Sequence, residues 1–309
     1  MNTEANRKTE WVVGIGEALW DILPEGRKIG GAPANFAYHM SQFGLRSCAV
    51  SAVGDDEAGR ELRNQLREKG VGHMLETVPF PTGTVEVTLD GAGIPSYEIR
   101  QGVAWDNIPF TPQIEELARH TRAACFGSLA QRSPVSHRTI GRFLETMPDG
   151  EGQYKVFDIN LRQHFYTQQV VEESLRKCNI LKINDEELAV VGSMFGLEGM
   201  QPGEQCRTLL DRYGLRIVIL TCGAAGSSVF APDTRSYIPT PRVEVADTVG
   251  AGDSFTASFL AALLSGLGIG EAHRLAVDVA AHVCSQDGAM PRLPERFTAR
   301  LRNDGPAIR

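Results

Sequence analysis

The chain has 309 residues, of which 42% are hydrophobic and 22% are charged, a composition typical of globular proteins and not of disordered or fibrous ones. Its 31 basic and 38 acidic residues give a formal charge of −7. Because no dense Lys/Arg run is present, neither nucleic acid nor a membrane surface is an expected partner. No apolar run reaches the roughly 18 residues that a membrane span requires, which indicates a cytoplasmic protein. The six cysteines form no C-x-x-C pair, so we expect reduced thiols and no zinc site.

Short apolar runs alternate with helical segments from Trp11 onward, which is the pattern of βαβ units around a mostly parallel sheet. The predicted strands are apolar runs, as expected for buried parallel strands, at residues 11–16, 47–53, 123–127, 155–160, 180–183 and 217–221. Helices are predicted at residues 34–43 and 57–69, since each ends at a glycine, Gly44 or Gly70. The sequence therefore predicts an α/β fold with helices on the faces of the sheet.

Two segments interrupt this alternation. Residues 22–30 resemble a hairpin around Pro24-Glu25-Gly26, and residues 84–101 alternate apolar and polar side chains on either side of the turn Gly91-Ala92-Gly93. Antiparallel pieces do not belong to a parallel sheet. The pattern leaves two alternatives open, a small β lid over the carboxyl edge of the sheet or an extension of that sheet's own edge.

The segment 247–253, Asp-Thr-Val-Gly-Ala-Gly-Asp, runs directly into an apolar helical segment that ends at Leu264. Gly250, Ala251 and Gly252 leave the first amides of the helix open to an anion, and Asp253 places a carboxylate at the same point. One interpretation is phosphoryl transfer, with Asp253 as general base. The other is a tight turn in which Asp253 caps the helix.

Further candidates follow other predicted strands. Gly30, Gly31 and Asn35 precede and open a helix and suit a polyhydroxy ligand, while Asp21 has the carboxylate to bind two sugar hydroxyls. The alternatives are a structural diglycine turn and an exposed loop acid.

Asn184 and Glu187 have the spacing of a helix capping box, or else lie near a Mg²⁺-bound phosphate. Thr221, Gly223 and Gly226 permit close approach of a nucleotide, or else turn the chain into a hairpin over residues 227–237. Walker A is absent, and Leu19 replaces the third glycine of a G-x-G-x-x-G pattern. Any ATP site must therefore be of another kind.

Together these residues resemble the ribokinase-like, or PfkB, family of sugar kinases, and among them most closely the bacterial fructokinases. The specific motifs are DTVGAGDSF at residues 247–255 and GGAPANFA at residues 30–37. The resemblance implies a ribokinase-like three-layer α/β/α sandwich with a mostly parallel central sheet. It further implies one kinase domain over residues 1–309, with β-lid segments at about residues 18–30 and 82–104.

The resemblance also implies roles for the candidate residues. Asp253 corresponds to the family's catalytic base, and Gly250, Ala251 and Gly252 to its anion hole. The implied sugar-binding residues are Asp21, Gly30, Gly31 and Asn35, with Arg162, in a D-x-N-x-R run at residues 158–162, near substrate or phosphate. Tyr97 in the second lid segment is a further candidate for substrate binding, although one tyrosine and one arginine, Arg100, fall short of a full clamp for a sugar acid.

The implied nucleotide-binding residues are Asn184, Thr221, Gly223 and Gly226, with Glu187 acting on Mg²⁺ indirectly and Asp247 on a monovalent cation, K⁺. Arg292 stands where some members have a small hydroxyl residue, which argues against dependence on K⁺, and Leu19 argues against ribose. Family members often form homodimers through the β lid.

The expected function is therefore an ATP- and Mg²⁺-dependent sugar kinase that phosphorylates a primary hydroxyl of a hexose, fructose. The alternatives are a kinase for 2-keto-3-deoxygluconate or a nucleoside, and a non-catalytic sugar-sensing protein of the same fold.

Overall fold

The computed structural model describes residues 10–23, 26–89 and 95–302, the side chains of residues 87–97, 300 and 302 excepted. Its main sheet has nine strands: β1 Trp11–Ile15, β4 Ser47–Gly54, β5 Gly72–Val78, β8 Thr121–Phe126, β9 Tyr154–Asp158, β10 Ile180–Asn184, β11 Ile217–Thr221, β12 Ser227–Ala231 and β13 Thr234–Ile238. Their order is β13-β12-β11-β10-β9-β8-β1-β4-β5. Neighbours from β11 to β5 pair in parallel, and β12 and β13 add an antiparallel hairpin at one edge. All six predicted strands are confirmed.

The helices are α1 Ala32–Gln42, α2 Glu57–Glu68, α3 Pro112–Arg119, α4 Pro134–Thr146, α5 Gln168–Lys177, α6 Asp185–Phe195, α7 Pro202–Tyr213, α8 Ala251–Leu264, α9 Ile269–Cys284 and α10 Glu295–Arg302. Side chains of α1, α8, α9 and α10 form the core on one face of the main sheet, and side chains of α3 to α7 form the core on the other. The predicted three-layer α/β/α sandwich is therefore confirmed.

A second sheet of four strands lies apart from the main sheet and consists of β2 Leu19–Leu23, β3 Gly26–Gly30, β6 Gly83–Leu89 and β7 Pro95–Ile99. Its order is β3-β2-β6-β7, with β2 and β6 parallel and the outer pairs antiparallel. This arrangement confirms the small β sheet and shows that the edge-extension alternative was wrong. The turns expected at Pro24-Glu25 and Gly91-Ala92-Gly93 lie outside the described residues.

Close packing of α1 against β1 brings the start of that helix to the carboxyl edge of the main sheet. A Cβ added to Gly14 would lie only 2.0 Å from the Pro33 carbonyl oxygen, so only glycine allows this approach. The small sheet begins at the same edge, since β2 follows β1 after three residues. Ligands of open α/β sheets bind at this edge.

All six cysteines are free thiols, as expected. Among the described residues, no helix combines the length and the apolar character needed to cross a bilayer.

Candidate active site

A cleft of about 1900 Å³ lies between the small sheet and the carboxyl ends of the main-sheet strands. Most residues predicted from the sequence line it: Asp21, Gly31, Asn35, Arg162, Asn184, Glu187, Thr221, Gly223, Gly226, Asp247, Gly250, Ala251, Gly252 and Asp253. Gly30 does not line the cleft, and the side chain of Tyr97 falls outside the described part of the chain. Residues far apart in sequence are thus brought to one cavity.

The first turn of α8 forms one wall of the cleft. Gly250 precedes the helix in the left-handed conformation, with φ of 77°, and a Cβ there would lie 2.7 Å from Ala289. In the described structure the amides of Gly252 and Asp253 have no backbone acceptor, whereas the Ala251 amide donates a 3.3 Å hydrogen bond to Thr248. At least two amides and the positive end of the helix dipole therefore face an incoming anion.

Asp253 lies inside the first turn of α8 and is not its cap, because Gly250 occupies the capping position. The capping interpretation is therefore wrong. Asp253 Oδ2 accepts a 2.8 Å hydrogen bond from Nδ2 of Asn35, which lies in the first turn of α1. The N-terminal ends of two helices thus meet at one carboxylate.

Burial raises the pKa of Asp253 to about 6, and the nearby Asp158 carboxylate adds to this effect, while Asn35, Lys182 and Arg162 oppose it. Such a carboxylate is ionised at neutral pH yet more basic than usual, which suits a general base. Oδ1 of the buried Asn35 has no partner among the described residues. It is thus available to accept a hydrogen bond from a ligand hydroxyl.

Asp21 of β2 faces the same cavity. Burial raises its pKa to about 6, the Asp247 carboxylate raises it further, and Arg162 opposes both. A Cβ on Gly30 would lie 2.2 Å from Asp21 Oδ2, so this glycine leaves room for the carboxylate. Gly31 has φ of 109°, and its missing Cβ would lie 2.4 Å from a neighbouring backbone oxygen. The diglycine is thus required by the packing around Asp21 as well as by the backbone conformation.

Glu17 is a cleft residue that the sequence analysis missed. It lies between β1 and β2, is buried, and has an Oε2 atom without a partner among the described residues. Burial raises its pKa to about 7, with a smaller contribution from Asp253. The one signal that could have identified Glu17 is its position directly after a predicted buried strand.

Asn184 and Glu187 form the capping box of α6. Asn184 Oδ1 accepts a hydrogen bond from the Glu187 amide at 2.8 Å, and Glu187 Oε2 accepts one from the Asn184 amide at 2.9 Å. Glu187 Oε1 accepts a third from the Leu161 amide at 3.0 Å. Because both carboxylate oxygens already accept backbone donors, an effect of Glu187 on Mg²⁺ through water fits this geometry better than direct ligation.

The turn after β11 also lines the cleft. Thr221 ends the strand, a short 3₁₀ turn covers Gly223–Ala225, and Gly226 leads into β12. A Cβ on Gly226 would lie 2.6 Å from the Ile238 carbonyl oxygen. The predicted hairpin is confirmed, and it coexists with an open backbone turn at the cleft.

Asp247 joins two loops beside α8. Its Oδ1 accepts a hydrogen bond from the Val249 amide at 2.9 Å, and its Oδ2 accepts one from the Gly288 amide at 3.1 Å. Within the described ranges, no group of three His, Cys, Asp or Glu side chains is arranged to hold a metal ion. The role of Asp247 toward a monovalent cation therefore stays a prediction.

The sequence analysis also missed an ion pair below the first turn of α8. Lys182 Nζ lies 2.9 Å from Asp158 Oδ1, and both side chains are largely buried. A single lysine within the apolar strand β10 was the only signal in the sequence.

Comparisons with known proteins agree with this fold. The model of the pfkB family carbohydrate kinases matches residues 25–296. A fructokinase of Salmonella typhimurium is 29% identical over 266 residues, 82% of this chain and 83% of the relative. A nucleoside kinase of Methanothermobacter thermautotrophicus is 29% identical over 284 residues, 88% of this chain and 85% of the relative.

Among solved structures, an uncharacterized sugar kinase from Pyrococcus horikoshii in complex with ATP superposes with a TM-score of 0.77 at 25% identity, covering 94% of this chain and 99% of that one. The fold and the cleft define an α/β phosphotransferase with an alcohol group as acceptor. This chain belongs to the pfkB family of carbohydrate kinases.

Proposed function

We propose that this carbohydrate kinase is an ATP-dependent fructokinase, which transfers the γ-phosphate to a primary hydroxyl of fructose. The observation that supports it most is the contact between Asn35 and Asp253 beside the open amides of α8. A basic carboxylate, a hydrogen-bonding amide and an anion site then surround one point, as transfer between a hydroxyl and a phosphate requires.

In this proposal the sugar lies under the small sheet, with Asp21 and Asn35 binding its hydroxyls. Asp253 accepts the proton of the attacking hydroxyl, and the amides of Gly252 and Asp253 stabilise the charge on the transferring group. ATP extends toward Asn184 and the turn at Thr221. Mg²⁺ bound with ATP would neutralise phosphate charge, and Glu187 would act on it indirectly.

The charges at the sugar end favour a neutral substrate. Glu17, Asp21 and Asp253 place three carboxyl groups there, and Arg162 is the cation that acts on all three. A sugar acid such as 2-keto-3-deoxygluconate would bring a further negative charge to this region and lose affinity by repulsion. The fructokinases among the relatives agree with a neutral hexose.

A nucleoside kinase is the second candidate, because one of the relatives at 29% identity has that activity. Leu19 lines the cleft at the sugar end and offers no hydrogen bond to a ribose. We therefore place fructose first.

The proposal is tested by measuring ADP release with fructose, 2-keto-3-deoxygluconate, ribose and adenosine, each with and without K⁺. We expect the highest kcat/KM with fructose. A higher value with adenosine would replace fructokinase by nucleoside kinase. Sugar binding without ADP release for any substrate would indicate a sugar-sensing protein.

The role of Asp253 is tested by Asp253→Asn, which keeps the shape of the side chain and removes its basicity. We expect kcat to fall by about 10²- to 10⁴-fold, the usual contribution of a general base. Calorimetric titration with sugar and with ATP should show nearly unchanged dissociation constants. Full turnover in this variant would refute the assignment.

A further inference from the structure

Lys182 occupies an unusual position for a lysine. It stands at the centre of β10, a buried parallel strand, and its side chain is only 11% exposed. Removing a charge from water is costly, so a buried lysine requires a partner or a function. Because strand side chains alternate between faces, Lys182 shares the face of Ile180, whose side chain packs in the core of α8 and α9.

The partner of Lys182 is fixed by the sheet. In the register of β9 and β10, Lys182 lies directly opposite Asp158. Lys182 Nζ is 2.9 Å from Asp158 Oδ1, and Asp158 Oδ2 accepts a 2.9 Å hydrogen bond from Thr256 Oγ1 of α8. Burial lowers the pKa of Lys182, but Asp158 and Glu187 raise it by more, so the pKa lies above its ordinary value and the ammonium stays charged.

The ammonium group is held against the first turn of α8. A Cβ added to Gly252 would lie 2.9 Å from Lys182 Nζ, and Gly252 has one of the open amides described above. Lys182 also lines the cleft. The charge of this side chain is therefore located at the wall of the cleft, next to the anion site.

The end of α8 by itself does not favour a cation at this position. The N-terminal end of a helix carries a partial positive charge, which stabilises anions and repels cations. A pair that served stability alone would place its carboxylate nearest the helix end. An anion bound between this cation and the open amides would be stabilised by both.

We propose that Lys182 is a catalytic residue whose ammonium contacts an oxygen of the transferring phosphoryl group, while Asp158 and Thr256 position it. The inference rests on the proposed kinase function. In the reaction the bond between the γ-phosphorus and the bridging oxygen of ADP breaks, and a bond from the sugar oxygen to that phosphorus forms. The sugar proton passes to Asp253, and Lys182 keeps its protons throughout.

The first test compares Lys182→Met with the double variant Asp158→Asn/Lys182→Met. We expect kcat of Lys182→Met to fall by about 10²- to 10³-fold, as for loss of one oxyanion donor, with the KM for sugar changed less than about threefold. The double variant removes both buried charges, which proteins often tolerate. It should remain as slow as the single variant. Recovery of the double variant to within about threefold of the wild-type kcat would show a purely structural pair and overturn the proposal.

The pH profile tests whether the charges of Lys182 and Asp158 act at the proposed base, as their placement beside the first turn of α8 requires. The charged groups facing Asp253 are Glu17, Asp158, Arg162 and Lys182. Lys182 lowers the pKa of Asp253 and Asp158 raises it. The acidic limb of kcat/KM should therefore move to higher pH in Lys182→Met and to lower pH in Asp158→Asn. Glu17→Gln, measured in parallel, identifies any limb that belongs to Glu17. Unmoved limbs in both variants would contradict the proposal.

A third measurement separates this proposal from the choice of sugar. Binding of ADP with aluminium fluoride, a mimic of the transferring phosphoryl group, is measured by calorimetry in the absence of sugar. Lys182→Met should bind this complex at least about tenfold more weakly, corresponding to one oxyanion contact, and bind ADP alone as the wild type does. Equal binding of the mimic would overturn the role of Lys182. A wild type that binds the mimic but phosphorylates no tested sugar would refute only the fructokinase proposal.

Discussion

At the scale of single residues, the site is dominated by carboxyl groups that burial makes more basic. Asp21 and Asp253 each have a pKa raised to about 6, and Glu17 one raised to about 7. In each case the loss of water around the charged form is the largest cause. Three such groups around one cavity make the charge of this part of the cleft strongly dependent on pH.

The proposed role of Asp253 as general base predicts how catalysis depends on pH. A general base acts only in its unprotonated form, so kcat/KM should fall as the pH is lowered through about 6. The measurement is the initial rate of ADP release between about pH 4 and pH 9 at low sugar concentration. Constant kcat/KM down to about pH 4, the ordinary value for an aspartate, would contradict an elevated pKa at the base.

The sequence indicated some of these residues and not others, for a physical reason. Asp253 and Asn35 belong to short glycine-containing motifs at helix starts, where local spacing alone points to ligand binding. Lys182 and Asp158 form a pair because of the register of β9 against β10, and no local sequence pattern contains that register. Strand β5 was missed because polar residues such as His73 and Glu76 interrupt its apolar character at the sheet edge.

At the scale of elements, helix starts organise the site. The starts of α1, α6 and α8 all reach the carboxyl edge of the main sheet, with Asn35 and Asp253 in first turns and Asn184 at the capping position. Local sequence was sufficient to predict these helices, because capping residues and glycines mark their ends. The way in which the first turns converge depends on the parallel sheet that orients them.

The capping and ligand roles of Asn184 can be separated by mutation. Asn184→Ala removes the side-chain acceptor of the capping box and should cost about 1 kcal/mol of unfolding free energy. If Asn184 also binds nucleotide, the KM for ATP should rise several-fold. Thermal unfolding and steady-state kinetics measure the two effects.

Thr111→Ala is the matched control for this variant. Thr111 caps α3 by accepting a hydrogen bond from the Ile114 amide at 3.3 Å, and it does not line the cleft. It should lose comparable stability with an unchanged KM for ATP. A similar change of the KM for ATP in both variants would show that the change follows from lost stability, and would refute nucleotide binding by Asn184.

At the scale of the whole molecule, the buried acids of the cleft oppose stability at neutral pH. The folded-state pKa of Glu17 is about 7, above the ordinary value of 4.5. The folded protein therefore binds more protons than the unfolded chain between these values, and its stability falls as the pH rises through this window. The folded protein is thus less stable than it would be with apolar side chains in place of these carboxyl groups.

Glu17→Gln tests this linkage. The variant cannot ionise at this position, so its unfolding free energy should exceed that of the wild type at pH 8 by an amount that shrinks toward pH 5. The expected difference at pH 8 is a few kcal/mol, on the order of 1.4 kcal/mol for each pKa unit. Urea unfolding at several pH values measures it. Parallel curves for the two proteins would show that Glu17 has an ordinary pKa.

Association through the small sheet stays a prediction. Its outer strands β3 and β7 pair on one side only within the described sheet, which leaves backbone groups open to a second sheet. Light scattering after size-exclusion chromatography should give twice the chain mass of 33.7 kDa. A monomer at micromolar concentration would contradict the predicted dimer.

The parallel pairing of β2 with β6 also has a consequence for how the protein acquires activity after synthesis. Leu19 lies opposite Gly83, so the pair joins segments 64 residues apart around β4, β5 and two helices. Contacts across so long a loop form slowly during refolding. When the denatured chain is diluted into buffer, enzymatic activity should therefore return later than the native far-ultraviolet circular dichroism signal.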